Sequence, residues 1–202
     1  GGGPGSGPVG VIEELMPCLP QPCLISNKDG MICVDSNITS IGRIKAFWGN
    51  FGVILRAYAY ILALGAEGLS RVGRISVLNA NYLRHSLKNR YHLPYDRTCK
   101  HEFVLSDKGI PNDITTEDIA KRILDYGMYA PTIYFPLIVD GALMIEPTET
   151  ETRNNLDRFI DILFKIYDEA KDNPDILKKA PHNTPIGRLD AVLAARTPKL
   201  RE

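Results

Sequence analysis

Residues 101–146 read HEFVLSDKGIPNDITTEDIAKRILDYGMYAPTIYFPLIVDGALMIE and contain the pattern that decides the fold. Three short apolar stretches in this segment predict strands, at 101–106, 132–135 and 142–146. Between the first two, Thr115–Asp118 is typical of a helix N-terminus and Gly127 is suited to stop that helix. The order strand, helix, strand, strand predicts the α+β class, with a small antiparallel sheet and helices packed on one face.

Long helices are predicted on both sides of this segment. Upstream, Asn50 is suited to cap an apolar helix over 51–64 that Gly65 closes, and a second helix is predicted over about 67–90. The 51–64 helix is apolar nearly all round, so we expect other material to cover several of its faces. Downstream, Thr148–Glu151 matches a capping box. The helix that follows has apolar residues at helical spacing, namely Leu156, Phe159, Ile160, Leu163, Ile166 and Ala170.

The ends of the chain are less regular. Residues 15–34 contain Pro17, Pro20 and Pro22, which predict extended pieces without a helix, and Asp29-Gly30 predicts a turn between two strands of a hairpin. Asn173-Pro174 ends the last long helix, and a polar tail is expected beyond it.

Composition excludes several classes of function. The 202 residues carry 24 Lys and Arg against 24 Asp and Glu, so there is no net charge to attract nucleic acid. The apolar run over 53–64 is interrupted by Arg56 and is shorter than the roughly twenty residues that span a bilayer, so no membrane partner is predicted. The four cysteines are irregularly spaced, which favours reduced thiols in the cytoplasm. The alternative, a zinc site formed by Cys18, Cys23 and Cys33 with a histidine, fits no common spacing, and no metal is predicted.

Few local motifs carry chemistry. Gly5–Gly10 spells the G-x-G-x-x-G of dinucleotide-binding folds but lacks the strand, helix and acidic residue that this motif requires, so we interpret it as coincidental. The turn at Trp48–Phe51 would place backbone N–H groups and the positive end of a helix beside a small residue, which suits an anion. An ordinary capped helix start explains the same spacing. His101, Glu102 and Glu146 are polar residues at strand ends that could face a site or be structural.

Several stretches together resemble one family, the decarboxylating glycine dehydrogenases, which are the P-proteins of the glycine cleavage system. They are GGGPGSGPVGV at 1–11, SIGR at 40–43 leading to WGN at 48–50, VLNANY at 77–82, HEF at 101–103, APT at 130–132 and EPTE at 146–149. The tail PHNTP at 181–185 with RLD at 188–190 is similar to the C-terminal part of subunit 2 in the split, two-subunit form of the enzyme.

The resemblance implies an α/β aminotransferase-like fold of type I that binds pyridoxal phosphate. Glycine would lose its carboxylate as carbon dioxide, and the aminomethyl group would pass to the lipoyl arm of H-protein. The lysine that forms the Schiff base would lie upstream of Gly1, so we expect no catalytic lysine in this chain and no activity from it alone. The implied partners are subunit 1, a second copy of subunit 2 and lipoylated H-protein.

The resemblance also implies domain and residue roles. Residues 1–66 would be the tail of the large cofactor domain, ending in an apolar interface helix, and 67–202 the small α+β domain. The residues expected to bind the cofactor are Gly1, Gly2, Gly3, Gly5, Trp48, Gly49 and Asn50. Those expected to face substrate or the lipoyl arm are His101, His182, Asn183 and Thr184. Either Arg43 or Arg188 could bind the substrate carboxylate or be structural.

A second hypothesis is a self-standing α+β module with a binding or regulatory role, because a fold does not by itself carry a function. It predicts a compact monomer, whereas the enzyme hypothesis predicts an uncovered apolar face on the 51–64 helix.

Overall fold

A computed structural model of the chain describes residues 5–34, 39–44 and 49–201, and the side chains of Met31, Cys33 and Val34 also lie outside the description. The chain divides into two compact units, Gly2–Leu69 and Ser70–Glu202. This division lies close to the predicted boundary at residue 66. The roles assigned to the two domains stay predictions.

The first unit contains the predicted hairpin. Strands β1 (Cys23–Asn27) and β2 (Gly30–Val34) pair antiparallel, with Asn27 opposite Gly30. Gly30 has φ 123°, a backbone conformation that favours glycine, which explains the two-residue turn at Lys28-Asp29.

The prediction that 15–34 contains no helix is wrong at its start. Residues Glu13–Cys18 form a 3₁₀-helix that includes Pro17. The N–H of Leu19 donates to the carbonyl of Met16 across this proline (3.2 Å). Proline tolerates such a turn because its fixed φ lies within the 3₁₀ range and a single turn does not need the hydrogen bond that proline lacks.

Helix α1 (Phe51–Leu87) is the longest element, and Gly65 interrupts it with φ 63° and ψ −176°. The side chain of Asn50 accepts from the N–H of Val53 (3.4 Å), as expected of the predicted cap. The structure therefore confirms a helical segment that starts after Asn50 and a break at Gly65. The second segment ends at Leu87, a few residues before the predicted Arg90.

By length and composition, α1 is long and apolar enough to cross a membrane, and it is the one helix in the described part of the chain that meets this test. The test is weak support for a span, because the break at Gly65 leaves a first helical segment, residues 51–64, shorter than the roughly 30 Å apolar core of a bilayer at about 1.5 Å per residue. After the break, the exposed side chains of Arg71 and Arg74 follow on the same helix.

The second unit is built on a three-stranded antiparallel sheet with the order β3-β5-β4. Strand β5 (Ala142–Ile145) is central and pairs on one edge with β3 (Phe103–Ser106) and on the other with β4 (Thr132–Ile133). Met144 lies opposite both Val104 and Thr132, so this register brings the two edge strands to the same point of β5. The predicted strands are confirmed, each shorter than its apolar stretch.

Helix α2 (Thr116–Asp125) begins at the predicted position. Thr115 and Asp118 form a reciprocal capping box, and Gly127, with φ 69°, follows the helix end. For α3 (Arg153–Asp172) the predicted cap is wrong, because Thr152 is the N-cap and accepts from the N–H of Asn155 (3.3 Å).

The tail beyond Asn173 is more ordered than predicted. Pro174 starts a short helix, α4 (Pro174–Lys178), where its missing N–H costs no hydrogen bond, and α5 (Ala191–Arg196) follows after an irregular segment.

The core of the second unit lies where α2, α3 and the end of α1 meet the sheet. All six predicted core positions of α3 are buried. The least exposed large side chains, each under 2%, are Leu83, Leu87, Leu105, Ile119, Ile123, Leu143, Leu163, Ile166, Leu177 and Thr116. Because these residues come from α1, β3, α2, β5, α3 and α4, burial of their apolar surface joins the unit into one core.

Candidate functional site

A cavity of about 460 Å³ lies within the second unit, and we name it the Glu146 cavity. Leu83 of α1, Met144 and Ile145 of β5 and Phe159 of α3 contribute apolar lining. The two other sides are the segment after α2, including Pro131 and Thr132, and the segment after β5, including Glu146 and Pro147. Two stretches that carried the family resemblance, APT at 130–132 and EPTE at 146–149, therefore meet at one cavity.

Six polar side chains line this cavity, and four of them carry a carboxylate, an amide or a guanidinium. The carboxylate of Glu151 accepts from the amide of Asn155 (3.0 Å), and a guanidinium N–H of Arg158 donates to the carbonyl of Tyr126 (2.8 Å). Glu146 also lines the cavity, and Nε2 of the His101 imidazole lies 4.0 Å from its Oε1. Carboxylates, an amide and a guanidinium over an apolar floor suit a ligand with an apolar body and a polar end.

His101 is the one predicted substrate-facing residue that lies beside this cavity. Its side chain is 54% exposed and that of Glu146 is 52% exposed, so the pair is open to solvent and the contact is long for a hydrogen bond. Both residues were predicted from the sequence as polar groups at strand ends, and the structure brings them together. Whether His101 contacts substrate stays a prediction.

The other three predicted residues have contacts elsewhere in the second unit. The N–H groups of His182 and Asn183 donate to one carboxylate oxygen of Asp125, at 2.5 and 2.7 Å. The ring Nε2 of His182 lies 2.8 Å from the carbonyl oxygen of Ile176, and the hydroxyl of Thr184 donates to the carbonyl of Ile186. None of these three residues is among those that line the Glu146 cavity, so their substrate-facing role also stays a prediction.

Arg188 is paired with acidic residues of α2. Its guanidinium donates to Asp118 (2.5 Å), lies 3.7 Å from Glu117 and donates to the carbonyl of Lys178 (2.9 Å). Of the two roles left open for Arg188, these contacts favour the structural one, because its donors hold the C-terminal segment to the start of α2.

A largely buried ionic cluster joins α2 to α3. Arg122 donates two parallel hydrogen bonds to Glu169, both 2.9 Å, and a third to Asp125 (3.2 Å). Burial opposes ionisation of Glu169, but the hydrogen bonds from Arg122 and Tyr126 outweigh it and hold the pKa of Glu169 below its usual range. The cluster fixes Tyr126, whose carbonyl holds Arg158 at the cavity.

The first unit brings two of the predicted cofactor-binding stretches together. Gly49 has φ 133°, and a Cβ placed there would lie 3.0 Å from the side chain of Ile54 and 3.5 Å from the hydroxyl of Ser6. The glycine-rich stretch at Gly5–Gly7 is thus beside the turn that opens α1. Gly5 itself is exposed and has open space around it. Gly1, Gly2, Gly3 and Trp48 lie outside the described residues.

The structure gives no support for a dinucleotide site or for a metal site in the described residues. Gly5–Gly10 is followed by the 3₁₀-helix Glu13–Cys18, where a dinucleotide-binding motif requires an α-helix. Within residues 5–34, 39–44 and 49–201, no group of three or more His, Cys, Asp or Glu side chains is placed to hold a metal ion.

Most of the residues that line the cavity were not predicted from the sequence. Met128, Tyr129, Asn155 and Arg158 line it, and none of them stood out in the sequence. Two signals were available: Asn155 and Arg158 are one helical turn apart on α3, and Arg158 lies on the same turn as the buried Phe159. These signals identify a helix face but not what that face meets.

Comparison with known proteins shows the family to which this chain is related. A family model described as glycine dehydrogenase, C-terminal domain, matches residues 72–184, which include every residue that lines the cavity. The chain belongs to the glycine dehydrogenase family.

Curated relatives extend the match over the whole chain. A probable glycine dehydrogenase (decarboxylating) subunit 2 from Caldanaerobacter subterraneus subsp. tengcongensis is 57% identical over 203 residues, and one from Staphylococcus haemolyticus is 54% identical over 202. Each alignment covers 100% of this chain and 42% or 41% of the relative, so the chain spans about two-fifths of the length of these proteins.

A solved structure has the same fold. It is a crystal structure of glycine decarboxylase (P-protein) of the glycine cleavage system, in inhibitor-bound form. It superposes with a TM-score of 0.57 at 16% identity and covers 76% of this chain and 37% of that one. At this identity the likeness concerns the fold alone.

Proposed function

We propose that this chain is the C-terminal part of a glycine decarboxylase subunit that depends on pyridoxal phosphate. In the complete enzyme, glycine would lose carbon dioxide and the aminomethyl group would pass to the lipoyl arm of H-protein. The observation that supports this proposal best is the Glu146 cavity, because Pro131 and Glu146, from two family-like stretches, line one amphipathic space. Bound pyridoxal phosphate would supply the electron sink that decarboxylation of an amino acid requires.

In a fold of type I, backbone N–H groups of the Gly49–Asn50 turn would bind the phosphate of the cofactor that a neighbouring subunit holds. Three observations support this role. Gly49 has a backbone conformation that favours glycine, its missing Cβ leaves room beside Ser6, and the turn opens a helix whose first N–H groups suit an anion. Asn50 uses its side chain to cap Val53, which would fix the turn.

At the cavity, this chain would bind and orient the polar end of a substrate. The carboxylate of Glu146 would accept a hydrogen bond from an amine, and His101 beside it would help to set its orientation. Met128, Met144 and Phe159 would cover the apolar part of the ligand and keep water from it.

The proposed assembly follows the split form of the enzyme. We propose contacts with subunit 1, with a second copy of subunit 2 and with lipoylated H-protein, in the cytoplasm. The exposed apolar side chains of the 51–64 segment, among them Leu55, Tyr58 and Leu62, would form a subunit contact.

The chain alone would be inactive, because the lysine that binds the cofactor would belong to another part of the subunit. Exchange of labelled carbon dioxide into the carboxyl group of glycine measures the decarboxylation step directly. We expect no exchange with the purified chain plus pyridoxal phosphate. We expect exchange from a full-length subunit in which this chain replaces the matched segment of the Caldanaerobacter relative, once subunit 1 and H-protein are added.

Reduction with borohydride gives a second readout. We expect no stoichiometric trapping of pyridoxal phosphate on one lysine of this chain. Trapping at a single site, or exchange by the chain alone, would contradict the proposal. Failure of the replaced, full-length subunit to support exchange would contradict it as well.

A further inference from the structure

The loop between β4 and β5 carries a surface that the proposed function does not use. Four large apolar side chains of this loop are exposed, and we name them the β4–β5 patch: Tyr134, Phe135, Leu137 and Ile138. Leu137 is 85% and Ile138 is 78% exposed, which is far above the level of side chains that serve the core. Adjacent apolar side chains so exposed on a monomer mark a contact surface.

The loop is held in place by hydrogen bonds at both ends. The N–H of Tyr134 donates to the carbonyl of Ala142 (2.8 Å), and the N–H of Val139 donates to the carbonyl of Pro136 (3.1 Å). Val139 is buried, and the hydroxyl of Ser106 donates to the carbonyl of Asp140 (2.7 Å). The apolar side chains are therefore presented on a fixed backbone, which lowers the entropy lost when a surface covers them.

Hydrogen bonds also hold the C-terminal end of this loop to the core of the second unit. The carbonyl of Gly141 accepts from the hydroxyl of Thr116 at the start of α2 and from the N–H of Asp107 after β3. Two elements of the second unit, the end of β3 and the start of α2, thus anchor the C-terminal end of the loop. Such anchoring is expected where a loop has to keep its shape for a contact.

The chemistry of the patch favours a permanent contact. Residues 126–139 contain no Asp, Glu, Lys, Arg or His, and the exposed Asp140 is the charged residue that follows directly. The patch itself therefore offers little charge to steer a partner that binds and leaves. Depletion of charge with enrichment in aromatic and aliphatic side chains is typical of the core of an obligate interface.

We infer that the β4–β5 patch is the docking surface for the part of subunit 2 that the relatives possess outside the segment matched by this chain; the inference rests on the proposed function. The matched segment is only 41–42% of each relative, so more than half of each relative's polypeptide is available as the occupant. A contact within one polypeptide avoids most of the translational and rotational cost of association, so a patch of four side chains suffices. The occupant is expected to be apolar and uncharged.

The test compares one substitution in two contexts. Leu137→Asp combined with Ile138→Asp is made in this chain and in a full-length subunit in which this chain replaces the matched segment of the Caldanaerobacter relative. Leu200→Asp is the matched control, because Leu200 is 87% exposed, as Leu137 is 85%, but lies outside the loop. Thermal unfolding and hydroxyl-radical labelling of the two patch residues are measured for each protein.

We expect the double substitution to leave the unfolding midpoint of this chain unchanged and to lower that of the full-length subunit, while Leu200→Asp changes neither. Labelling of Leu137 and Ile138 should fall about fivefold or more on going from this chain to the full-length subunit, as in the core of an interface. A neutral effect in both contexts with unchanged labelling would overturn the inference.

Other occupants give other results. If this chain alone forms a dimer that the double substitution abolishes, the patch binds a second copy and the inference is overturned. If protection in the full-length subunit needs added subunit 1 or H-protein, the inference is overturned as well. Glycine carboxyl exchange by the unsubstituted full-length subunit is measured separately, so loss of the proposed function is distinguishable from loss of this docking surface.

Discussion

The carboxylate of Asp125 accepts a hydrogen bond from the backbone N–H of His182 (2.5 Å), which lies 57 residues further along the chain. The next N–H, from Asn183, donates to the same oxygen (2.7 Å). Asp125 is the last residue of α2, so its side chain fastens the C-terminal segment to the end of that helix, while Arg188 fastens it to the start. Burial opposes ionisation of Asp125, but these N–H groups and Arg122 outweigh it and hold its pKa below the usual range.

Stability should therefore depend on the charge of Asp125. We expect Asp125→Asn to lower the free energy of unfolding by about 1–3 kcal/mol at pH 7, because the amide accepts these bonds more weakly. Because the folded pKa is depressed, this stabilisation is present above the unfolded pKa of about 4 and is lost as the pH falls through the lower, folded pKa. The difference between variant and parent should thus shrink below about pH 4.

Urea denaturation at pH 7, 5 and 3 measures this difference. Asp175→Asn is the control, because the side chain of Asp175 is 73% exposed and its pairing with Lys179 spans 3.5 Å. A difference between Asp125→Asn and the parent that is the same at all three values of pH would argue against a role for the charge.

Gly141 should tolerate no side chain. A Cβ at this position would lie 1.8 Å from a carboxylate oxygen of Asp107, and the residue has φ 59°. We expect Gly141→Ala to destabilise the chain by at least about 3 kcal/mol, from the clash added to left-handed backbone strain. Gly109→Ala is the matched control, since Gly109 has φ 82° with nothing within 4 Å of a Cβ. That variant should lose only about 1–2 kcal/mol, the backbone term alone. Equal losses in thermal or urea unfolding would show that Asp107 moves aside.

Gly49 should matter to the cofactor in the full-length enzyme. We expect Gly49→Val to weaken retention of pyridoxal phosphate, because the new side chain would crowd the space between Ile54 and Ser6. The second unit should stay folded, since Gly49 lies outside it. Gly52→Ala is the control, because its Cβ would meet only Asn50 at 3.8 Å. The absorbance of bound cofactor after dialysis reports retention, and unchanged retention in Gly49→Val would remove the assignment of this turn.

The apolar segment of α1 should promote self-association of the isolated chain. Leu62 is 64% exposed among other exposed apolar side chains, and we expect Leu62→Glu to shift the chain toward monomer in sedimentation velocity. Leu78→Glu is the control, since Leu78 is 66% exposed on the later segment of the same helix. A monomer before and after Leu62→Glu would favour the alternative of a self-standing module.

Local patterns predicted much of this fold. The hairpin at residues 23–34, the break at Gly65, the capping box of α2 and the buried face of α3 all depend on neighbours within a few residues, such as Thr115 with Asp118. Prediction failed where two local solutions compete. Thr148 and Thr152 are both suitable caps, and the choice of Thr152 accompanies a tertiary contact in which the carbonyl of Thr148 accepts from the amide of Asn79 (3.0 Å).

By itself, the sequence determined the long helices, α2, the strands, the α+β class and the family, because periodicity, caps and glycine positions act over short separations in the chain. It did not predict the short helices at Glu13–Cys18, Pro174–Lys178 and Ala191–Arg196. Only the tertiary structure decided which side chains share a site. Glu146 and Pro131 meet at one cavity because β4 and β5 pair antiparallel, and Arg158 reaches that cavity from α3. It also decided that Arg188 faces Asp118, 70 residues away, since such contacts depend on how packed elements are arranged and leave no local periodic signal.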